Sequence, residues 1–129
     1  MKSVLVIDNN AKTRTTLQNL LTLKWPHISV ITAETGPKGL HLAHEMQPDV
    51  ILLECNLPGL DSYQTAKMLR HLPETKSIPL IALTQNQEQP NQQVIGLQGA
   101  CHAWLTQPIA AEALVSAITS VQTVNRRTT

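Results

Sequence analysis

A chain of 129 residues with 42% hydrophobic and 15% charged positions can bury a core as one domain without disulfides or metal, and this composition excludes a disordered or a membrane-spanning protein. The formal net charge of +1, spread along the chain, offers no field for holding nucleic acid or an anionic membrane. Cys55 and Cys101 lie far apart without metal-ligand spacing, and Met1-Lys2-Ser3 runs straight into an apolar stretch too short for a secretory leader, so a cytoplasmic protein is expected.

The β-branched run Val4 to Ile7 predicts a strand covered on both faces, closed by Asp8-Asn9-Asn10. From Ala11 to Trp25, Leu17, Leu20, Leu21 and Lys24 recur at helical spacing, and Pro26 ends that helix. Ile28 to Thr32 reads as a second strand. Thr35 can cap a helix from Pro37 to Met46 with Leu40, Leu42 and Ala43 inward, ending before Pro48. Val50-Ile51-Leu52-Leu53 is the most hydrophobic run and is expected to be the central strand, with Glu54 at its C-terminal end.

After the loop Cys55-Asn56-Leu57-Pro58-Gly59, Asp61 or Ser62 opens a third helix to about Leu72, and Ile78 to Leu83 makes a fourth strand ending at Thr84. The polar stretch that follows contains Pro90 and leaves a fourth helix only Asn91 to Gln98. Ala103-Trp104-Leu105 is a short fifth strand. Ile109 to Val121 is a last helix, with Leu114, Val115, Ile118 and Val121 periodic. One domain over residues 1–124 results, with 125–129, including Arg126-Arg127, as a frayed tail or the start of a linker.

Five strand–helix repeats predict an α/β doubly wound parallel sheet with right-handed crossovers, whose ligands sit at the C-terminal ends of the strands. Asp8, Glu54, Thr84 and Gln107 all fall at that edge. No internal sequence repeat or second domain is evident.

These positions, in this order, resemble the receiver domain of two-component response regulators. The acidic pair that follows the family's first strand is matched by Asp8 and Asn9, and Pro48-Asp49-Val50-Ile51-Leu52-Leu53-Glu54 matches the strand that ends in the phosphorylated aspartate. Asn56-Leu57-Pro58-Gly59-Leu60-Asp61 looks like the loop after the phosphosite, although Ser62 stands where glycine is usual. Ile78-Pro79-Leu80-Ile81-Ala82-Leu83-Thr84 carries the switch threonine, and Trp104-Leu105-Thr106-Gln107-Pro108 matches the switch aromatic and the lysine before proline. The resemblance covers essentially the whole chain and implies a CheY-like, flavodoxin-like (βα)5 fold with strand order 2-1-3-4-5.

Three departures fall on the chemistry itself: Asn9 replaces an acid, Glu54 an aspartate and Gln107 a lysine. In the family, the second acid, the phosphoaspartate and a backbone carbonyl hold Mg²⁺, while the lysine pairs with the phosphoryl group. Here Asp8, Glu54 and the Asn56 carbonyl are the residual donors, and only weak Mg²⁺ binding is expected, since that ion demands near-octahedral oxygen ligands. Phosphoryl transfer rests on positioning and charge stabilisation, and both are damaged. The extra methylene of Glu54 displaces its carboxylate by roughly 1 Å, enough to cost about 10²-fold in rate. The acid and the lysine are lost together, so the formal pocket charge stays at minus two. Gln107 and Asn9 are expected to donate neutral hydrogen bonds to Glu54, and one of the two carboxyls to titrate above its ordinary range. A carboxylate that reaches the Thr84 hydroxyl would hold the domain active-like with Trp104 turned inward; one that does not would leave it locked.

Ordinary roles account for the remaining candidates. Asp49 opens its strand at the opposite edge and is read as a turn or capping residue, and Asp61 as a helix cap. His41 and His44 share a helix face without a third ligand, and Cys55 has no adjacent cation to activate it. The leading expectation is a signalling module without aspartyl phosphorylation, not an enzyme. It would bind a histidine kinase, an output domain or another signalling protein through the fourth helix, fifth strand and fifth helix that this family commonly uses, with a homodimer left open. The second is a phosphoacceptor that uses Glu54 with weak Mg²⁺. The third, an unrelated phosphate-handling enzyme on the same fold, lacks a nucleophile–base pair and a Gly-rich phosphate loop.

Overall fold

The computed structural model describes residues 1–57, 62–85 and 99–128, with side chains up to residue 122. Its elements are β1 (Ser3–Ile7), α1 (Ala11–Lys24), β2 (Ser29–Ala33), α2 (Gly36–Met46), β3 (Val50–Glu54), α3 (Ser62–His71), β4 (Leu80–Thr84), β5 (Ala103–Thr106) and the C-terminal helix α4 (Ala111–Thr128). The expected helix at Asn91 to Gln98 and the expected cap Asp61 lie outside the described residues. All five strands are parallel in the order β2-β1-β3-β4-β5, the doubly wound arrangement expected from the sequence.

Period-two alternation divides the core between the two faces of the sheet. Leu5, Ile7, Ile51, Leu53, Leu80 and Ala82 face Ala43 of α2 and Ala66 and Leu69 of α3. Val4, Val6, Val50, Leu52, Ile81 and Leu83 face Leu17 and Leu21 of α1 and Leu114, Ile118 and Val121 of α4. Each residue of β1 from Val4 onward and of β3 is therefore buried, and the strands read as unbroken apolar runs. At roughly 1.5–3 kcal/mol per fully buried aliphatic side chain, these two layers are the main stabilising contribution.

Helix entries follow local capping chemistry. Asn10 Oδ1 accepts the N–H of Thr13 and caps α1, and Thr35 Oγ1 accepts the N–H of Lys38 and caps α2. α2 ends at Gln47, whose φ of 46° is left-handed, one residue before Pro48. Gly39 lets this helix lie directly on β1: a Cβ there would stand 2.4 Å from Ile7 Cδ1. At the start of the sheet, Asp49 Oδ2 accepts the N–H groups of Lys2 and Ser3, the structural role expected of it.

Several boundaries differ from expectation. β4 starts at Leu80, because Ile78 still donates its N–H to Thr75 O in a turn and Pro79 has no N–H for the ladder. α4 starts at Ala111, with Ala110 O accepting the first N–H from Leu114, so Ile109 belongs to the loop. The same helix continues through Thr128 where a frayed tail was expected, with no proline or glycine after Val121 to stop it. On α1, Lys24 faces solvent, while Leu17 and Leu21 are buried and Leu20 half-buried.

Candidate functional site

Sheet register makes the site. Ile7 pairs with Leu53, so the next residues, Asp8 and Glu54, leave adjacent strands side by side at the C-terminal edge. This is the switch point, where β2 lies to one side of β1 and β3 to the other, and doubly wound sheets open their binding crevice there. Both carboxyls are buried, Asp8 at 1% and Glu54 at 2% exposed.

Three of the four carboxyl oxygens receive N–H donors. Asn10 N donates to Asp8 Oδ1 at 2.8 Å, Asn56 N to Glu54 Oε1 at 3.1 Å, and Gln107 Nε2 to Glu54 Oε2 at 3.1 Å. The fourth, Asp8 Oδ2, is buried without a partner. The expected bond from Gln107 is present. The expected bond from Asn9 is not among those of the described residues: Asn9 is exposed, and it is Asn10, also exposed, that supplies its backbone N–H to Asp8 and its side chain to the helix cap.

Burial without a cation between them raises both acids. Glu54 is pushed up to about 7, first by burial and then by the neighbouring Asp8 carboxylate, against the opposing N–H of Asn56. Asp8 is also raised by burial, but the Asn10 N–H and the Arg14 charge oppose this. With burial and a neighbouring carboxylate both against its charge, Glu54 is the acid favoured to hold a proton.

Arg14 and Ser62 are site residues that sequence reasoning missed. Arg14, on the first turn of α1, donates from Nη1 to Asp8 O at 2.8 Å and places a cation close to the Asp8 carboxyl. Its signal was its place four residues after the cap Asn10. Ser62, fully buried, donates to Glu54 O and accepts the N–H of Leu57 at 3.2 Å, tying the loop after β3 back to the strand end. A glycine there could form neither bond.

The remaining residues divide as follows. Thr84 is buried, but its hydroxyl turns toward β5, donating to Leu105 O at 3.3 Å and meeting Thr106 Oγ1 at 3.3 Å, and makes no bond to Glu54. Trp104 is half-buried against the α2–α3 face of the core. Gln107 precedes a cis peptide bond to Pro108. Cys55 is buried and its thiol pushed well above the ordinary range, first by desolvation, which disfavours the reactive thiolate. His41 and His44 are exposed, and among the described residues no group of three metal-ligating side chains converges.

The donor set does not fit a resident Mg²⁺ ion. Asn9 is neutral and exposed and both oxygens of Glu54 accept N–H groups, so among the described side chains Asp8 Oδ2 is the one buried carboxyl oxygen without a donor.

Comparison with known proteins agrees with this geometry. Residues 4–119 match the response regulator receiver domain family. The chain is 32% identical over 121 residues to protein PilH of Pseudomonas aeruginosa, covering 94% of this chain and 98% of PilH. It is 29% identical over 119 residues to the polar-differentiation response regulator DivK of Brucella ovis, covering 92% and 94%. Its fold matches that of the receiver domain of the sensor histidine kinase PA1611 from Pseudomonas aeruginosa, a structure with a magnesium ion in its active-site cleft, at a TM-score of 0.84 and 24% identity over 95% of this chain and 98% of that one. With the strand order, the paired acids at the switch point and these matches in agreement, the chain belongs to the response regulator receiver domain family of two-component signalling.

Proposed function

We propose that this receiver signals by binding a partner protein and does not pass through a phosphorylated state. The observation that carries the reading is the bond from Gln107 Nε2 to Glu54 Oε2, in which a neutral amide holds the acid at the position where the family places a lysine. A phosphoryl donor is an anion, and it would approach two buried carboxyls without the lysine and metal that stabilise the transferring group. The guanidinium of Arg14 is bound to the backbone carbonyl of Asp8. Near neutral pH, Glu54 is partly protonated, which removes the lone pair that would attack.

Work by binding, not catalysis, is consistent with this pocket, and a cytoplasmic location follows from the family's role beside histidine kinases. Among the described residues no helix is long and apolar enough to cross a membrane. The partner is a histidine kinase, an output domain or another signalling protein, and the surface assigned to it includes β5 and α4; the expected fourth helix of that surface lies outside the described residues.

A second reading, Glu54 as a phosphoacceptor with weakly held Mg²⁺, is favoured by the unpartnered Asp8 Oδ2. Incubation with acetyl phosphate and Mg²⁺ followed by intact-mass measurement separates the two. Unchanged mass is expected; stoichiometric gain of one phosphoryl group would establish the second reading.

A further inference from the structure

Three of the five exposed large apolar side chains among the described residues stand on α3 or directly after it: Tyr63 at 39%, Met68 at 44% and Leu72 at 36%. The helix buries Ser62, Thr65, Ala66 and Leu69, and every charged or titrating side chain on its polar positions, Lys67, Arg70 and His71, is basic apart from the Tyr63 phenol. Four-residue spacing sorts the outer face into two neighbouring rows, Tyr63-Lys67-His71 and Met68-Leu72. Lys67, Met68, His71 and Leu72 line a mainly apolar hollow of about 240 Å³. Tyr63, Lys67, Arg70 and His71, with Gly99 and Ala100, line a second of about 370 Å³. Lys67 and His71 belong to both, so an apolar hollow and a basic one share a wall.

The basic hollow lacks a counter-charge. Arg70 donates from Nη1 and Nη2 to the carbonyls of Lys76 and Ile78, while its Nε is buried without a partner. Burial works against the guanidinium's charge, and among the described residues no carboxylate pairs with Arg70 or Lys67 to offset it. The Lys67 ammonium lies instead 6.0 Å from the centre of the Tyr63 ring. A phosphate backbone or an anionic bilayer is gripped by a longer run of cations than Lys67 and Arg70 provide. Carboxylates set among apolar side chains match this face in both charge and polarity.

We propose that the outer face of α3 docks an acidic amphipathic helix of a partner protein, with an apolar side chain seated at Met68 and Leu72 and a neighbouring carboxylate beside Lys67 and Arg70. α3 packs on the face of the sheet opposite α4, so this surface and one on α4 can be occupied together. Neither hollow includes Asp8, Glu54 or Gln107, and docking there is independent of whether Glu54 accepts phosphate.

NMR titration of the isotope-labelled full chain tests this. The probe is a capped helical peptide with leucine at i and i+4 and glutamate at i+1 and i+5, copying the two rows, and its control carries lysine for glutamate. Amide shifts are expected from Tyr63 to Leu72 with the glutamate peptide, at an affinity about tenfold or more above that of the lysine peptide. Lys67→Glu should weaken binding of the glutamate peptide about tenfold, and Met68→Ser about threefold. Both positions are exposed, so unchanged shifts in the sheet report an intact fold. Equal affinities for the two peptides, no shift up to about millimolar peptide, shifts confined to other elements, or a Lys67→Glu variant that binds as the parent does would each overturn the inference. So would α3 shifts that appear with phosphatidylserine vesicles, duplex RNA or a rising concentration of the chain alone, but not with the glutamate peptide.

Discussion

Gln107 holds Glu54 by a single neutral hydrogen bond, Nε2 to Oε2 at 3.1 Å, where the receiver family places a lysine opposite an aspartate. A neutral amide orients the carboxyl without stabilising its charge, so burial and Asp8 determine its titration.

That titration has a sign for stability. The folded-state pKa of Glu54, about 7, lies above its ordinary 4.5, so its contribution is fully present below pH 4.5 and is lost as pH rises through 7. Glu54→Gln removes the ionisation and should be more stable than the parent at pH 8 by about 1 kcal/mol or more, with the difference vanishing near pH 4. Urea denaturation across pH 4 to 8 reads both. A parent whose stability is flat from pH 5 to 8 would contradict the assignment.

Returning a cation should reverse the shift. Gln107→Lys places an ammonium group beside the Glu54 carboxylate and is expected to bring its pKa down by one unit or more. Carbon-detected NMR titration of the Glu54 carboxyl measures this directly.

Ser62 offers a test of the loop. Ser62→Ala leaves the Glu54 carbonyl and the Leu57 N–H without their shared buried partner, with an expected cost of about 2 kcal/mol. Ser62→Thr, which keeps the hydroxyl, separates that loss from side-chain crowding in a denaturation series.

The contact of Gly39 with Ile7 predicts a coupled pair. Gly39→Ala should destabilise by about 1–3 kcal/mol despite the better helix propensity of alanine, because its Cβ overlaps Ile7 Cδ1. In the Ile7→Ala background, which lacks Cδ1 and also the two γ carbons that would stand at 2.7 and 3.1 Å, the cost should fall by at least half in a double-mutant cycle.

A fluorescence titration checks the pocket as a whole. In Trp25→Phe, only Trp104 reports, and its emission should not change with millimolar Mg²⁺ and beryllofluoride. A saturating change would show that the acids still accept metal and a phosphoryl analogue.

The alternation of strands and helices was legible in the sequence because strands buried on both faces must be unbroken apolar runs, as at Val50 to Leu53, and because Pro26, Thr35 and Pro48 mark helix ends by local chemistry. The same logic placed Asp8, Glu54, Thr84 and Gln107 at one edge of the sheet, and the charges lost at Asn9 and Gln107 were readable as residue types. Only the tertiary structure decided which side chains meet. The β1–α1 turn leaves Asn9 in solvent and gives the N–H bond on Asp8 to Asn10, Thr84 turns to β5 and not to Glu54, and Arg14 and Ser62 enter the site through bonds to backbone carbonyls. The physical reason is range: burial and capping are dictated by neighbours along the chain, whereas the partner of a hydrogen bond across 53 positions, Gln107 to Glu54, depends on the packing of strands that sequence spacing does not describe. The missing charges at Asn9 and Gln107 are visible in the sequence, whereas the rise of Glu54 to about 7 follows only from the two carboxyls lying buried side by side.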